Sequence, residues 1–237
     1  MKSVGIMGLG RFGKLLAHLL KPHFTLKTYD PALDSSDPLS DVLQQTTLFI
    51  AVPIHHFETV IEMISPQLKT GTTVIDLCSV KVHPVKVMQQ FLGADIDIIA
   101  THPLFGPDSF ADIHHQKKIM MYRVRDQFQQ YDFWKTFFNK ENILVAEMTP
   151  EQHDQYMAQS QGITHLIGRA LSKMNAQSTP INTSGYNQLL NIMQHTCNDT
   201  WELFYDLQHF NPYSQAENKK LLTALTETLA TLQRAVN

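Results

Sequence analysis

Residues 3–13 read SVGIMGLGRFG, and this stretch decides the fold of the first part of the chain. A short apolar run predicts a buried strand, and the glycines that follow, Gly8, Gly10 and Gly13, have the G-x-G-x-x-G spacing. Apolar residues then recur at helical spacing as far as Leu20, and Pro22 ends the pattern. A glycine-rich turn that joins a first strand to a first helix is typical of dinucleotide-binding α/β domains.

The alternation of strands and helices continues as far as residue 149. Further strands are predicted at FTLKTYD, TTLFIAVP, TTVIDLCSV, IDIIATHP, KKIMMYRV and NILVAEM, with helical patterns between most of them. Beyond Pro150 the patterns are almost only helical, over 150–175, 184–209 and 214–236. The sequence therefore predicts a Rossmann-like doubly wound parallel sheet in a dinucleotide-binding domain, 1–149, followed by an all-helical substrate and dimerisation domain, 150–237.

Composition and charge exclude several classes of protein. Hydrophobic residues make up 43% and charged residues 17%, which suits a soluble globular protein, and the net charge is −3. Without a basic run, nucleic acid is not expected as a partner. The apolar runs are too short to cross a bilayer, and the N-terminus does not resemble a signal peptide. Cys78 and Cys197 lie far apart and form no CxxC, so we expect free thiols and a cytoplasmic protein.

The glycine motif and its surroundings predict the cofactor. Gly8 permits a tight turn, Gly10 lets the backbone approach a pyrophosphate, and Gly13 lets helix and strand pack closely. Asp30 ends the second strand, where a carboxylate accepts hydrogen bonds from ribose hydroxyls and repels a 2′-phosphate. Residues 31–38 contain no Arg or Lys, so we expect NAD, while Arg11 leaves NADP open. The predicted cofactor-binding residues are Gly8, Leu9, Gly10, Arg11, Phe12, Gly13, Asp30, Val52, Pro53 and Ser79.

Simpler interpretations of this motif remain open from the sequence. The glycines also fit an ordinary strand–helix turn, and Asp30 also fits a turn-forming residue before Pro31.

Reactive side chains follow two of the later strands. DLCSVK carries Ser79 and Lys81, and THPLFGPDS carries His102. Two prolines and a glycine in the second segment predict an ordered bend that holds the histidine rigidly. In open α/β sheets such groups gather beyond the carboxyl ends of the strands, so a hydride-transfer site is predicted there. The alternatives are a histidine that caps a strand end and a turn serine.

Four motifs together resemble a known family. GLGRFG, DLCSVK, THPLFGPDS and EQHDQYMAQSQGITHLIGRAL occur in the order found in the prephenate/arogenate dehydrogenases of tyrosine biosynthesis. The stretch STPINTSGYNQLLN is most similar to the plant-type arogenate branch. The resemblance covers nearly the whole chain. It implies NAD(P)-dependent oxidative decarboxylation of arogenate or prephenate, giving tyrosine or 4-hydroxyphenylpyruvate, without a metal.

The resemblance also implies roles for individual residues. His102 matches the catalytic histidine, which accepts a hydrogen bond from the substrate hydroxyl, and Ser79 matches the serine that orients it or the nicotinamide. His165 matches a histidine of the substrate cleft, whereas His153 matches a position with a structural role. Expected around the substrate are also Gln161, Thr164 and a loop with Thr179, Asn182, Thr183 and Gly185.

Two features of the helical domain bear on the substrate. Asp199 is predicted to bind the ammonium that arogenate has and prephenate lacks, although it also fits a helix cap or turn residue. No arginine occurs from Gln188 to Asp199, and Arg169 and Lys173 are the nearest basic residues, so the partner of the substrate side-chain carboxylate stays open.

His153 and His165 lie twelve residues apart. On a continuous helix this spacing places them about 120° apart and excludes a metal pair.

The sequence leaves two other functions open and indicates an oligomeric state. A reductase of the β-hydroxyacid dehydrogenase type would use Lys173 as acid and base, and a non-catalytic NAD-binding regulator would need only the glycine loop. The length leaves no residues for an added regulatory domain. The helical tail is of the kind that buries its apolar face against a second copy, so a homodimer is expected.

Overall fold

The structure is a computed structural model that describes residues 2–110 and 116–236. The chain divides into two compact units, Met1–His153 and Asp154–Asn237. The division falls four residues beyond the boundary expected from the change of pattern at Pro150.

The first unit is built on a mostly parallel sheet. Its strands in the described residues are β1 (Ser3–Met7), β2 (Thr25–Tyr29), β3 (Thr47–Ile50), β4 (Thr73–Asp76), β5 (Asp97–Pro103), β6 (Lys118–Arg125) and β7 (Leu144–Glu147). Their order is β2-β1-β3-β4-β5-β6-β7. The chain therefore switches direction across the sheet at β1, and the carboxyl ends of β1 and β3 flank a crevice suited to a ligand.

The strands β6 and β7 depart from the all-parallel sheet that the sequence predicts. Strands β1 to β5 are parallel, but β6 pairs antiparallel with β5, and β7 is parallel to β6. A parallel crossover needs a dozen or more residues that usually form a long helix. The described part of the connection from β5 to β6 contains only the four-residue helix Pro107–Phe110, so the chain returns in the opposite direction.

Helices cover the sheet and close the core. They are α1 (Arg11–Leu20), α2 (Leu39–Leu43), α3 (Ile54–Ile64), α4 (Val82–Phe91), α5 (Pro107–Phe110) and α6 (Tyr131–Lys140), with a 3₁₀ turn at Ser65–Gln67. Helix α2 lies where the sequence predicts only turns. The core residues Phe49 and Trp134 are almost inaccessible, and their rings pack edge to face with centroids 4.8 Å apart. This packing fixes α6 against β3.

Helices account for nearly all of the second unit. They begin with α7 (Pro150–Met157), which crosses the boundary, and continue with a π-helical segment (Ala158–Gly162), α8 (Ile163–Lys173), α9 (Ser184–Cys197), α10 (Trp201–His209) and α11 (Ser214–Val236). Thr149 and Gln152 cap α7 reciprocally, the backbone N–H of each donating to the other's side chain at 3.1–3.2 Å. The expected start at residue 150 is confirmed.

Two long predicted helices are interrupted. The helix expected over 150–175 contains the π segment, and the helix expected over 184–209 ends at Cys197 and restarts at Trp201. The restart has a local cause, because the side chain of Thr200 accepts a hydrogen bond from the N–H of Leu203 and so caps a new helix. The π segment lies between His153 and His165 in the sequence, so the continuous α-helix on which their expected 120° separation depends is not present.

Among the described residues, no helix is both long and apolar enough to cross a bilayer.

Candidate active site and family

The glycine loop has the conformation that its spacing predicts. Gly8 has φ +93°, and a Cβ there would lie 2.5 Å from the carbonyl oxygen of Ala51. A Cβ at Gly13 would lie 2.0 Å from the carbonyl oxygen of Gly8. Neither position can hold a side chain without moving backbone. A Cβ at Gly10 would meet nothing within 4 Å, so the space above this residue is open to a ligand. The loop therefore fits a pyrophosphate at the N-terminus of α1.

Asp30 holds the loop from the end of β2. The N–H of Leu9 donates to its Oδ2 at 2.7 Å, and the N–H of Ala32 donates to its Oδ1 at 2.9 Å. The alternative role as a turn-former is therefore present in the structure. It is compatible with cofactor binding, because each carboxylate oxygen has a further lone pair that can accept a ribose hydroxyl.

The other predicted cofactor residues surround this loop. Arg11 pairs with Asp108 at 2.6 Å, and the ring of Phe12 lies 6.0 Å from that of Phe105, so both contact the segment that follows His102. Val52 and Pro53 lie just after the end of β3. Next to them in the sequence, the backbone N–H of Ala51 donates to the carbonyl oxygen of Met7 at 2.7 Å. The structure thus brings these residues together at the carboxyl ends of β1 to β3. Arg11 is engaged by a carboxylate, which the sequence did not indicate.

His102 lies in the last part of β5 and contacts a second histidine. Its Nδ1 lies 2.8 Å from Nε2 of His153, and the two side chains are 4% and 0% exposed. Burial lowers the pKa of His102 well below its usual value, and the nearby His153 and Lys81 lower that pKa further. The imidazole is therefore neutral at neutral pH and able to accept a proton. Sequence reasoning gave His153 only a structural role and missed this pair.

A buried ion pair lies behind His102. The ammonium of Lys81 donates to Asp76 Oδ2 and to the carbonyl oxygen of Thr101, and Lys81 and Asp76 are both fully buried. Asp76 Oδ1 accepts from the N–H of Thr101 at 3.1 Å, and the hydroxyl of Thr101 donates to the Asp76 carbonyl oxygen at 2.6 Å. These contacts join the end of β4 to the end of β5, one residue before His102. The Asp at a strand end and the Lys of DLCSVK were the available signals, and only Lys81 was noted.

Ser79 lies in the bend between Asp76 and Lys81 and is half-buried. Its position after β4 agrees with the expected strand-end site. Its predicted part in orienting His102 or the nicotinamide stays a prediction.

The second unit has its own cluster of polar side chains. Nε2 of His165 lies 3.9 Å from Oδ2 of Asp199, and Arg169, one turn further along α8, donates to the Asp199 carbonyl oxygen at 2.6 Å. Burial lowers the pKa of His165, Asp199 raises it, and Arg169 lowers it. The Nδ1 atom of His165 and the Oε1 atom of Gln161 are buried without a hydrogen-bond partner in the described residues. A bound ligand or an ordered water would supply the partners that these two atoms lack.

The remaining predicted substrate residues differ in what they do. Thr164 is half-buried beside His165. Thr183 caps α9 by accepting from the N–H of Tyr186 at 3.2 Å, and Asn182 accepts from Thr179 and donates to Asn187 within the same loop. The STPINTSGY loop is thus organised by its own hydrogen bonds. Its predicted contact with substrate stays a prediction.

Asp199 and Lys173 also have defined surroundings. Asp199 precedes the cap Thr200 and is not the capping residue itself. Lys173 is exposed in the last turn of α8. In the portions of the chain that the structure covers, no group of three His, Cys, Asp or Glu side chains is placed to hold a metal ion.

Comparisons with known proteins give both units relatives. A model of the family described as prephenate dehydrogenase, nucleotide-binding domain, matches residues 28–121, and a model described as TYRAAT1-like, C-terminal domain, matches residues 170–237. Arogenate dehydrogenase 1 of Arabidopsis thaliana, a chloroplastic protein, is 31% identical over 97% of this chain and 39% of its own length. Arogenate dehydrogenase 2 of the same plant is 30% identical over 92% of this chain and 66% of its own length. The chain thus spans less than two thirds of either relative.

Solved structures share the fold. A prephenate dehydrogenase from A. aeolicus, determined with hydroxyphenyl propionate and NAD+, superposes with a TM-score of 0.77 at 18% identity, covering all of this chain and 92% of that one. An arogenate dehydrogenase from Synechocystis superposes with a TM-score of 0.68 at 18% identity, covering 98% and 93%. At such identities the likeness shows the fold alone. The plant sequences and the family models confirm the resemblance seen in the motifs: the chain belongs to the prephenate/arogenate dehydrogenase family, and within it to the plant-type branch.

Proposed function

We propose that this protein catalyses the NAD-dependent oxidative decarboxylation of arogenate to tyrosine. The observation that carries the proposal is the buried His102–His153 pair at the end of β5, in the same unit as a glycine loop shaped for a dinucleotide. Family membership supports the reaction class. The relatives act on arogenate or prephenate by name, and those names do not by themselves decide between the two substrates.

The loop residues fit a nicotinamide dinucleotide. Gly8, Gly10 and Gly13 would hold the pyrophosphate at the N-terminus of α1, and Asp30 would accept the adenosine ribose hydroxyls. When bound, the cofactor supplies an acceptor for the hydride from the ring carbon that carries the hydroxyl. The negative charge of Asp30 disfavours a 2′-phosphate, which is why we propose NAD rather than NADP.

His102 receives the hydroxyl proton of the substrate. Because Nδ1 is engaged with His153, we assign Nε2 to the hydroxyl. A neutral tautomer with its proton on Nδ1 donates to His153 and leaves Nε2 free to accept. The hydroxyl loses its proton, the electron pair of the carbon–carboxylate bond enters the ring, and carbon dioxide leaves, so the ring becomes aromatic. The phenolate oxygen then takes the proton back from His102. Because His102 lies at a rigid strand end, its imidazole is held in one position relative to the substrate hydroxyl. Such positioning of a base is a large part of catalysis in this kind of reaction.

The side chain of the substrate is the basis for preferring arogenate. We propose that Asp199 binds its ammonium, since a carboxylate beside a buried imidazole is a favourable partner for a cation and not for the keto group of prephenate. His165, Gln161 and Thr164 would contact the same end of the substrate, as the unpartnered atoms of His165 and Gln161 suggest.

The experiment is a rate assay with four combinations. Purified protein is given arogenate or prephenate with NAD or NADP, and reduction of the cofactor is followed by absorbance. We expect the highest kcat/KM with arogenate and NAD, and its loss in His102→Asn. Turnover with prephenate alone would remove the role proposed for Asp199. No turnover by folded protein that binds NAD would refute the proposed reaction.

The two other functions are less well supported by the structure. A β-hydroxyacid dehydrogenase type of reductase would require Lys173 in a site, but this side chain is exposed at the end of α8. A regulator that only binds NAD has no use for a buried neutral base next to its cofactor loop. Loss of turnover with retained NAD affinity in His102→Asn separates an enzyme from such a regulator.

We also propose that the protein is a homodimer formed through α11. Four leucines on one stripe of this helix are largely exposed, namely Leu222 (66%), Leu225 (54%), Leu229 (61%) and Leu232 (58%). Their spacing of three, four and three residues is that of a coiled-coil seam, which needs a partner helix. Leu225→Lys with Leu229→Lys should give a monomer by light scattering, whereas Thr231→Lys on the opposite face should not. An unchanged mass in the double variant would exclude this interface.

A further inference from the structure

Arg169 fixes the corner between α9 and α10. The residue is 7% exposed, and its Nη2 donates to the carbonyl oxygens of Asp199 at 2.6 Å and Thr200 at 3.1 Å. Both carbonyls follow the C-terminus of α9, where the helix dipole is negative. A hydrogen bond from a charged donor is stronger than one between neutral groups. One guanidinium therefore holds two consecutive peptide units.

Aromatic rings limit the orientation of this guanidinium. Its central carbon lies 4.4 Å from the ring centroid of Trp201 and 6.0 Å from that of Phe204, both in the first turn of α10. Stacking on Trp201 holds the planar group in place while its Nη2 is engaged. Arg169 thus joins α8 to the end of α9 and the start of α10. Its Nη2 is directed at backbone carbonyls, whereas its Nε is buried without a hydrogen-bond partner in the described residues.

The corner carries Asp199, whose carboxylate faces the same helix. Oδ2 of Asp199 lies 3.9 Å from Nε2 of His165, and His165 is four residues before Arg169 on α8. Residues four apart lie on the same helix face. Helix α8 therefore supplies both the imidazole opposite the Asp199 side chain and the guanidinium that fixes the Asp199 backbone. Because α8 is one rigid helix, it sets the position of the His165 imidazole relative to the Arg169 guanidinium.

Close packing makes this arrangement rigid. A Cβ at Gly168 would lie 1.9 Å from Oγ1 of Thr196, so α8 and α9 touch directly beside Arg169. The hydroxyl of Thr196 is in turn held by the Ile192 carbonyl oxygen at 2.8 Å. Helices that approach this closely cannot slide past each other without a steric cost. The remaining freedom of the corner is therefore limited by the side chains that hold it.

We infer that Arg169 is a positioning residue for substrate discrimination, acting through Asp199. Through its Nη2 it fixes the backbone of the corner so that the Asp199 carboxylate meets an ammonium group on the substrate. This inference rests on the proposed function, because it takes arogenate and prephenate as the competing substrates. Lysine cannot replace arginine here, since an ammonium does not present the planar group that stacks on Trp201 while donating to two carbonyls.

A double-mutant cycle tests the inference. The ratio of kcat/KM for arogenate to that for prephenate is measured in wild type, Arg169→Met, Asp199→Asn and the double variant, with Arg169→Lys as a conservative change. Asp199→Asn should lower the ratio about tenfold, because it replaces a charge-assisted hydrogen bond to the ammonium by a neutral one. Arg169→Met should lower it in the same direction, and the double variant should be no lower than Asp199→Asn alone. Lys173→Met, an exposed change on the same helix, should leave the ratio unchanged.

Three results would overturn the inference. A ratio within twofold of wild type in Arg169→Met would show that the corner does not need the guanidinium for discrimination. Effects that simply multiply in the double variant would show that Arg169 does not act through Asp199. A fall in melting temperature with equal loss on both substrates would give Arg169 a structural role only, and this also counts against the inference.

A binding measurement keeps the test independent of turnover. Calorimetry with NAD present compares L-tyrosine, which carries the ammonium, with 4-hydroxyphenylpyruvate, which carries the keto group. Arg169→Met should weaken tyrosine binding about tenfold and leave 4-hydroxyphenylpyruvate binding unchanged. Equal effects on both ligands would refute the inference. If wild type turns over neither substrate, the proposed function fails, while the difference between the two binding affinities still decides the role of Arg169.

Discussion

The Nδ1 atom of His102 and the Nε2 atom of His153 lie 2.8 Å apart, although 51 residues separate them in the sequence. Their rings meet edge to face, with centroids 5.0 Å apart and an interplanar angle of 79°. One ring nitrogen of each histidine is thereby engaged in the hydrogen bond with the other histidine. The pair fixes which nitrogen of His102 is available to a substrate, and it does so at the end of a fully buried strand.

Replacing the second histidine should therefore impair the first. In His153→Phe the ring of His102 loses its hydrogen-bond partner, so we expect kcat to fall about 10²-fold with little change in NAD affinity. His102→Asn should cost more, up to about 10⁴-fold. The measurement is steady-state kinetics alongside calorimetric NAD binding. His18→Asn, an exposed change on α1, serves as control, and full activity in His153→Phe would show that His102 is oriented by other groups.

Stability should depend on pH below the ordinary pKa of histidine. Burial lowers the pKa of His102 and of His165 in the folded protein, whereas both titrate near 6.5 when unfolded. Between the lowered values and pH 6.5 the unfolded chain binds more protons, so the unfolding free energy falls as the pH falls. Each histidine contributes a slope of up to about 1.4 kcal/mol per pH unit in that window.

Urea unfolding at pH 7.5, 6.5 and 5.5, values chosen to bracket the unfolded pKa of about 6.5, measures this slope. His102→Gln should reduce it, because the substituted side chain does not titrate. His18→Asn, at an exposed position on α1, is the matched control for the loss of one histidine. An equal slope in wild type and His102→Gln would mean that His102 is not the group responsible.

Removing only one partner of the buried Asp76–Lys81 ion pair should strongly lower the free energy of unfolding. Lys81→Met leaves the fully buried carboxylate of Asp76 without its cation, and such a change typically destabilises by about 3–5 kcal/mol. The double variant with Asp76→Leu should recover part of that loss, since it removes the uncompensated charge. Lys27→Met, at the partly exposed pair with Asp37, should cost much less, because water screens the charges of an exposed pair. Chemical denaturation gives all the values, and similar losses at the two sites would contradict the structural assignment.

Local patterns predicted most of the first unit because its strands are short apolar runs with turns between them. The loop from Gly8 to Gly13 is a continuous motif, so its conformation follows from local sterics. The reversal at β6 did not follow, because strand direction depends on how long and how helical the preceding connection is. The break at Asn198–Thr200 was also missed, since the single capping hydroxyl of Thr200 outweighs a continuing apolar period.

The site was predictable only where its residues are neighbours in the sequence. His102 and Ser79 were found from strand-end motifs. The contacts of His102 with His153, and of Lys81 with Thr101, join residues from distant segments, and no pattern in one sequence encodes such pairings. The same holds for Arg169, which the sequence offered as a basic residue without a role. Its contact with the Asp199 carbonyl depends on how α8 packs against α9.

Two glycines of the loop should respond differently to alanine. Gly13→Ala places a Cβ 2.0 Å from backbone of Gly8, so it should destabilise the fold and abolish NAD binding. Gly10→Ala meets no atom within 4 Å, and its φ of −63° suits alanine, so stability should be retained. NAD affinity should nevertheless fall, because the methyl group occupies the space proposed for the pyrophosphate. Melting temperature and NAD titration are compared, and unchanged affinity in Gly10→Ala would place the pyrophosphate elsewhere.

Cofactor preference should depend on the charge of Asp30 more than on its hydrogen bonds. Asn at this position keeps an oxygen for the N–H of Leu9, now 2.7 Å from Oδ2, but removes the charge that repels a 2′-phosphate. We therefore expect Asp30→Asn to raise the kcat/KM ratio of NADP to NAD by about tenfold, equivalent to about 1.4 kcal/mol. Asp30→Ala removes the acceptor as well, so it should weaken both cofactors by disordering the loop. Asp34→Asn, an exposed change nearby, is the control for net charge. If Asp30→Asn and Asp34→Asn shift the ratio equally, the preference arises from the overall field of the protein and not from a contact between Asp30 and the ribose.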